Sequence, residues 1–139
     1  MLVTGEIPRK IIFEKGYPPH KALVNGQWQP DPWIWDDRAI VIKLERKGLV
    51  ILSECAHAGI INTILYAPQQ LTGTKTVYAV LGGLHLAGKE NEPNINQTLK
   101  ELKKINPKLI VPSHCTGWLG TYTIAKTMPK PSCWKTIQF

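Results

Sequence analysis

The sequence predicts a mixed α/β fold with the element order β-β-α-β-α-β, and three observations carry that prediction. Short apolar runs of strand length recur through the middle of the chain. Segments with helical spacing separate the later runs, as in units that build a parallel sheet. The third observation is chemical. Side chains that can bind a metal, Cys55 with His57, then His85, then His114 with Cys115, each follow a strand-type segment directly. In α/β sheets the crevice beyond the carboxyl ends of the strands is where ligands bind.

Residues 1–37 read as a loop-like arm. Pro8, Pro18, Pro19, Pro30 and Pro32 interrupt it, and proline removes an N–H and fixes φ. Trp28, Trp33 and Trp35 in the same arm need something to pack against. Ala39–Leu44 and Leu49–Ser53 are β-rich runs joined by the turn-like Glu45-Arg46-Lys47-Gly48, which predicts a hairpin. Helical spacing follows over Gly59–Leu71, through Ile60, Ile61, Ile64, Leu65 and Leu71, with Pro68 expected to end or kink it early. Thr76–Leu81 reads as a buried strand. Over Glu92–Ile105, Ile95, Leu99, Leu102 and Ile105 fall on one helical face, with Asn94 as the expected cap and Asn106-Pro107 as the stop. Leu109–Val111 is the last predicted strand, and 116–139 is expected to be an irregular tail. The four runs should form one sheet with both helices on one face.

Composition bounds the rest. A chain of 139 residues, 43% of them hydrophobic, suffices for one ordinary domain with a sizeable core. No run reaches the roughly 18–20 apolar residues of a membrane span, and the N-terminus lacks the apolar stretch of a secretory signal. Three cysteines, an odd number, argue for a reducing compartment, by default the cytoplasm. The formal charge of +7 is spread out, its densest groups being Lys43, Arg46, Lys47 and Lys100, Lys103, Lys104. No recognised binding motif beside it supports nucleic acid, and an anionic small-molecule substrate explains the charge equally well, so the charge does not decide the matter.

The chemistry-bearing strings gain weight jointly. Cys55 and His57 are good ligands for zinc and similar metals, and they can converge only if the backbone turns, for which Gly59 offers a place. Gly82 and Gly83 before His85 allow close approach of backbone to a metal, a phosphate or another chain. Pro112 and Ser113 lead into His114 and Cys115, followed by Thr116 and Gly117. Each histidine taken singly reads equally well as a packed core residue; three at equivalent strand ends read as one site. Asp36 and Asp37 precede the first strand of the hairpin and are expected to orient ligands or make a turn. Cys133 has no partner pattern, and His20 reads as solvated or substrate-facing.

Several strings together resemble a known family. They are T-G-E-I-P-R at 4–9, L-V-N-G-Q-W-Q-P-D-P-W-I at 23–34, D-D at 36–37, C-A-H-A-G-I-I-N-T at 55–63, G-G-L-H-L at 82–86 and P-S-H-C-T-G-W at 112–118. The chain resembles the metallo-β-lactamase-fold hydrolases, in particular the branch that includes 7,8-dihydropterin-6-methyl-4-(β-D-ribofuranosyl)-aminobenzene-5′-phosphate synthase. The resemblance implies an αββα sandwich with the metal site between two β-α halves, of which this chain matches the C-terminal half, residues 1–139. The family's H-x-H-x-D-H motif, which supplies most of the ligands, does not occur in this sequence. Glu54 and Ala56 also stand where the family usually has Gly and Ser.

The resemblance implies Cys55, His57 and His114 as metal ligands. It places His85, Asp36, Asp37 and Thr116 at the substrate or behind the ligands. It further implies a divalent metal (zinc, magnesium or manganese) in the complete domain, bound weakly or not at all by this chain alone. The implied chemistry is pterin-related: condensation at a pterin pyrophosphate, with metal neutralising the leaving group. Partners expected on this basis are a complementary N-terminal half or a second copy. The alternative reading is a non-catalytic truncated or split-gene product that binds such a half.

Overall fold

The computed structural model describes residues 1–70 and 74–130. In chain order its strands are β1 (Leu2–Val3), β2 (Lys21–Val24), β3 (Gln27–Pro30), β4 (Ala39–Leu44), β5 (Gly48–Ser53), β6 (Val77–Gly82) and β7 (Leu109–Pro112). The helices are α1 (Ile60–Gln70), α2 (Ile95–Ile105) and α3 (Gly117–Thr127). One mixed sheet has the order β1-β4-β5-β6-β7, and β2 with β3 forms a separate hairpin. β1–β4 and β4–β5 are antiparallel, while β5–β6 and β6–β7 are parallel. The β4–β5 turn works because Arg46 and Gly48 take positive φ, 61° and 117°.

The parallel strands advance in one direction across the sheet. Right-handed crossovers therefore carry α1 and α2 over the same face. The helices pack accordingly, α1 on α2 and α2 on α3. Under them runs a cross-strand row, Leu2, Val41, Ile51, Val80 and Ile110. Its last four members are fully buried and join Ile60, Ile61, Ile64, Leu99, Leu102 and Ile124 in one core. Burial of each such side chain is worth roughly 1.5–3 kcal/mol. On the opposite face the row is Val3, Ile40, Leu52, Leu81 and Val111, beside a second row of Ile42, Val50, Ala79 and Leu109. Both rows are wholly apolar. None of the three helices covers that face: Val3 and Ile40 are exposed, and every other member except Ala79 is half-buried.

Four expectations change. The arm is not all loop. β1 pairs with the sheet, and β2–β3 turns on Asn25 and Gly26 at φ 51° and 77°, the left-handed pair that a two-residue hairpin loop requires. Ile7 of the arm is buried in the core, with Ile11 and Phe13 packed against it. Pro68 lies in the last turn of α1 without ending it. Buried Ile64 and Ala67 hold that turn, and Gln69 donates to the Leu65 carbonyl (3.0 Å). Asn94 makes no side-chain cap, because a 3-10 turn over Glu92–Asn94 already runs into α2.

The fourth change is the tail, of which residues 117–127 are helix. Gly120 lets α3 approach Leu86, while Ile124 and Met128 are buried, so packing overrides the weak helical signal of this segment. Leu71 and Cys133 lie outside the described residues.

Candidate metal centre

The carboxyl ends of β5, β6 and β7 are adjacent, so the segments that follow them meet. Gly83 N–H donates to the Glu54 carbonyl (3.0 Å) and Ser113 N–H to that of Gly82 (2.9 Å). Leu86 and Ala87 both donate to the Cys115 carbonyl (3.0 Å each). Thr116, fully buried, accepts the Leu84 N–H on its Oγ1 (3.1 Å). The loop after β6 is thus stapled to the segment after β7. A Cβ at Gly82 would strike the Ser53 carbonyl, and one at Gly83 would strike Cys115 Sγ and crowd His114. Close approach is the reason for both glycines.

Cys55, His85 and Cys115 converge here. One ligand atom from each lies within 4.8 Å of the others, although the residues are 30 and 60 positions apart in sequence. Cys55 Sγ sits 3.7 Å from His85 Nδ1, and the His85 backbone N–H points to Cys115 Sγ (3.4 Å). Two non-glycine residues adopt left-handed backbone to achieve this, Ala56 at φ 57° and His85 at φ 50°. Such a conformation costs on the order of 1–2 kcal/mol per residue, and strain of this kind gathers at functional sites. It is Ala56, rather than Gly59 alone, that turns the chain between Cys55 and His57.

The Cys115 thiol also donates to the Cys55 carbonyl (3.2 Å). Hydrogen bonding between the two thiols holds Cys115 well below the ordinary thiol range and pushes Cys55 above it; the His85 contacts also lower Cys115, against burial. His57 stands beside the group, its ring 4.8 Å from that of His85 and edge-on to it. Burial, then the neighbouring His85, lower its pKa, so His57 is neutral and able to accept a proton. Among the described residues, His85 Nε2 and Arg9 Nε are the buried side-chain nitrogens without a hydrogen-bond partner. Two sulfurs and one imidazole nitrogen, three donors in all, fit a divalent metal of the zinc type.

The remaining candidate residues lie as follows. His114 is exposed, with Nδ1 3.1 Å from Ser113 Oγ, next to the cluster but not among its converging ligand atoms. Asp37 is buried and accepts the Ala58 N–H (2.9 Å), fixing the start of α1. Asp36 is exposed and lines a neighbouring cavity with His20, Asp31 and Trp35. His20 Nδ1 is held by the Asp31 carboxylate (3.3 Å). Tyr17, His20 and Ile34 of the arm form the far wall of a cleft of about 380 Å3 that Cys55, His57, His85 and Cys115 line on the near side.

Two arm residues escaped sequence reasoning. The Glu14 carboxylate accepts the N–H groups of Ile61 and Asn62 (2.8 Å each), closing the first turn of α1 from a distance. Arg9 reaches the His57 carbonyl (2.7 Å) and that of Trp33, and lies 5.4 Å from the ring centres of Trp33 and Trp35. The only sequence signal was the density of aromatic and charged residues in a supposed loop.

Comparisons with known proteins bear on the fold as a whole. No family model matches the chain. The 7,8-dihydropterin-6-methyl-4-(β-D-ribofuranosyl)-aminobenzene-5′-phosphate synthase of Methanocaldococcus jannaschii is 42% identical over 123 residues, which are 85% of this chain and 40% of that protein. A solved metal-dependent hydrolase of the β-lactamase superfamily superposes with a TM-score of 0.69 at 25% identity, over 90% of this chain and 48% of that one. The chain spans less than half the length of each.

Proposed function

From the premise that the chain carries about half of a metallo-β-lactamase-superfamily fold, we propose that residues 1–139 act as the C-terminal half of a metal-dependent enzyme of pterin-linked phosphate chemistry. The likeness to the synthase supports that chemistry. The observation that carries the reading is the convergence of Cys55, His85 and Cys115 at adjoining strand ends, beside a sheet face of two apolar rows. A complementary N-terminal half, on a longer chain or a separate one, covers that face and contributes further ligands.

In such a site Cys55, Cys115 and His85 hold the metal from one wall, with His57 and His114 adjacent. The bound ion supplies Lewis-acid stabilisation of charge developing on phosphate oxygens. The chain's own residues do the rest. Neutral His57 accepts a proton at the cleft. Tyr17, His20 and Ile34 bound the substrate space, and the net charge of +7 favours an anionic substrate.

The test is complementation. The chain is purified alone and with the part of the M. jannaschii synthase that it does not match. Each is assayed, with zinc, magnesium or manganese, for formation of the ribofuranosyl-aminobenzene phosphate product. The chain alone should be silent, and the pair should associate and turn over. A monomeric chain active by itself, or a pair that neither binds nor reacts with any of these metals, would overturn the proposal.

A further inference from the structure

We infer that Cys55 and Cys115 close a reversible disulfide, with hydrogen peroxide as the oxidant, and that this linkage switches the strand-end site off. The linkage stands on the position of the two sulfurs alone; its regulatory meaning rests on the function proposed for that site. The two Sγ atoms lie within 4.8 Å of each other. The Cys115 thiol donates to the Cys55 carbonyl (3.2 Å), so one sulfur already touches the backbone of the other cysteine. A disulfide needs about 2.05 Å between sulfurs, a closure of less than about 2.8 Å, which χ1 rotation at the two residues supplies. β5 and β7 are not neighbours, since β6 stands between them. The segments that follow them meet because β6 leads into Gly83, where a Cβ would strike Cys115 Sγ and the Glu54 carbonyl. The fold thus brings together two thiols that are 60 positions apart in sequence.

Both cysteines are free and half-buried, and both line the cleft of about 380 Å3, so a molecule as small as hydrogen peroxide reaches them. One sulfur attacks a peroxide oxygen; the O–O bond breaks, water leaves and a sulfenic acid forms. The second sulfur then attacks the first, the S–O bond breaks and the hydroxyl leaves as a second water. Two thiols and one peroxide become one disulfide and two waters, and two electrons pass from sulfur to oxygen. A thiol at this distance intercepts the sulfenic acid before it is oxidised further. A dithiol reductant reverses the linkage by thiol–disulfide exchange. While it lasts, both sulfur donors are withdrawn from the site and His85 is left without them.

The experiment uses the full chain, reduced, freed of metal by chelation and treated with a small excess of hydrogen peroxide. Remaining thiols are alkylated, and linkages are mapped by mass spectrometry. Of the three thiols only that of Cys133 should remain, with Cys55 and Cys115 recovered in one linked peptide that dithiothreitol separates. Cys133→Ser should leave this linkage unchanged. In urea the preference should pass to the shorter Cys115–Cys133 loop, because spacing alone then selects the pair. Cys55 and Cys115 recovered as free thiols, as unlinked sulfinic acids, or linked chiefly to Cys133 or between chains, overturn the inference, as does the same pairing in urea. The unaltered chain decides the matter, so no variant has to fold. In the complementation assay, peroxide should abolish turnover and dithiothreitol restore it; linked chains that still turn over overturn the switch. A failed complementation leaves the linkage map standing, so the two proposals fail separately.

Discussion

At the scale of single residues, burial outweighs the charge of Arg9 and sets the behaviour of Glu14. Burial raises its pKa from 4.5 to about 7, against the lowering effect of the Ile61 and Asn62 N–H groups. The folded state therefore holds this proton more tightly than the unfolded chain. The resulting stabilisation is complete below about pH 4.5 and is lost as pH rises through 7. At about 1.4 kcal/mol per unit it amounts to on the order of 3 kcal/mol. Urea midpoints of the unaltered chain should fall over that window relative to Glu14→Gln, whose own profile should be flatter; parallel profiles would refute the assignment. Gly83 is the sharper test of the site. Its replacement by Ala forces Cβ against Cys115 Sγ and the Glu54 carbonyl, so a loss of about 1–3 kcal/mol in thermal unfolding is expected, with faster thiol modification of Cys115. Part of this site was legible: strand-end placement marks Cys55, His57, His85, His114 and Cys115 in the sequence, and the family resemblance implies Cys55, His57 and His114 as ligands, whereas the atoms that converge belong to Cys55, His85 and Cys115. Which side chains turn inward was not. That depends on left-handed backbone at Ala56 and His85, residues with no intrinsic preference for it.

At the scale of elements, α1 is the hub that ties the arm to the sheet. Asn62, buried in its first turn, accepts the Lys10 and Ile11 N–H groups (2.8 and 3.0 Å) and donates to the Ala58 carbonyl (2.8 Å). Asn62→Leu removes all three bonds and leaves two backbone donors unpaired, a cost of about 1–3 kcal/mol for each that stays buried. Limited trypsin digestion should then cut at Arg9 and Lys10 well before global unfolding; unchanged resistance would show that the arm does not depend on the Asn62 bonds. The same element explains what the sequence could and could not reveal. β4, β5, β6 and β7 were readable because apolar runs bounded by turn residues have few other uses. The hairpin β2–β3 was not, since prolines dominated the reading and its strands are mostly exposed, although Asn25-Gly26 carried the signal. α3 was hidden for a different reason. Glycine and threonine weaken its intrinsic helix preference, and contacts with Leu86 and the core make up the deficit.

At the scale of the whole molecule, the asymmetry of the sheet governs association. One face is sealed by α1, α2 and α3, while the other presents Val3, Ile40, Leu52, Leu81 and Val111 in an unbroken row. No charged side chain interrupts that row or the adjacent one of Ile42, Val50, Ala79 and Leu109. An apolar face of this extent marks an interaction surface, and the complementary half is the occupant proposed for it. Without it, a second copy is the available partner. Ile40 and Leu52 are directly paired across β4 and β5, which permits a precise test. Ile40→Glu with Leu52→Lys places opposite charges side by side, a pair that adds roughly 0.2–1 kcal/mol to the strand pairing and leaves the net charge unaltered. Light scattering on the unaltered chain should show concentration-dependent self-association. The double variant should be monomeric, remain folded by circular dichroism, and no longer capture the complementary half. A variant that associates as readily as the parent would show that the open face is not the surface used.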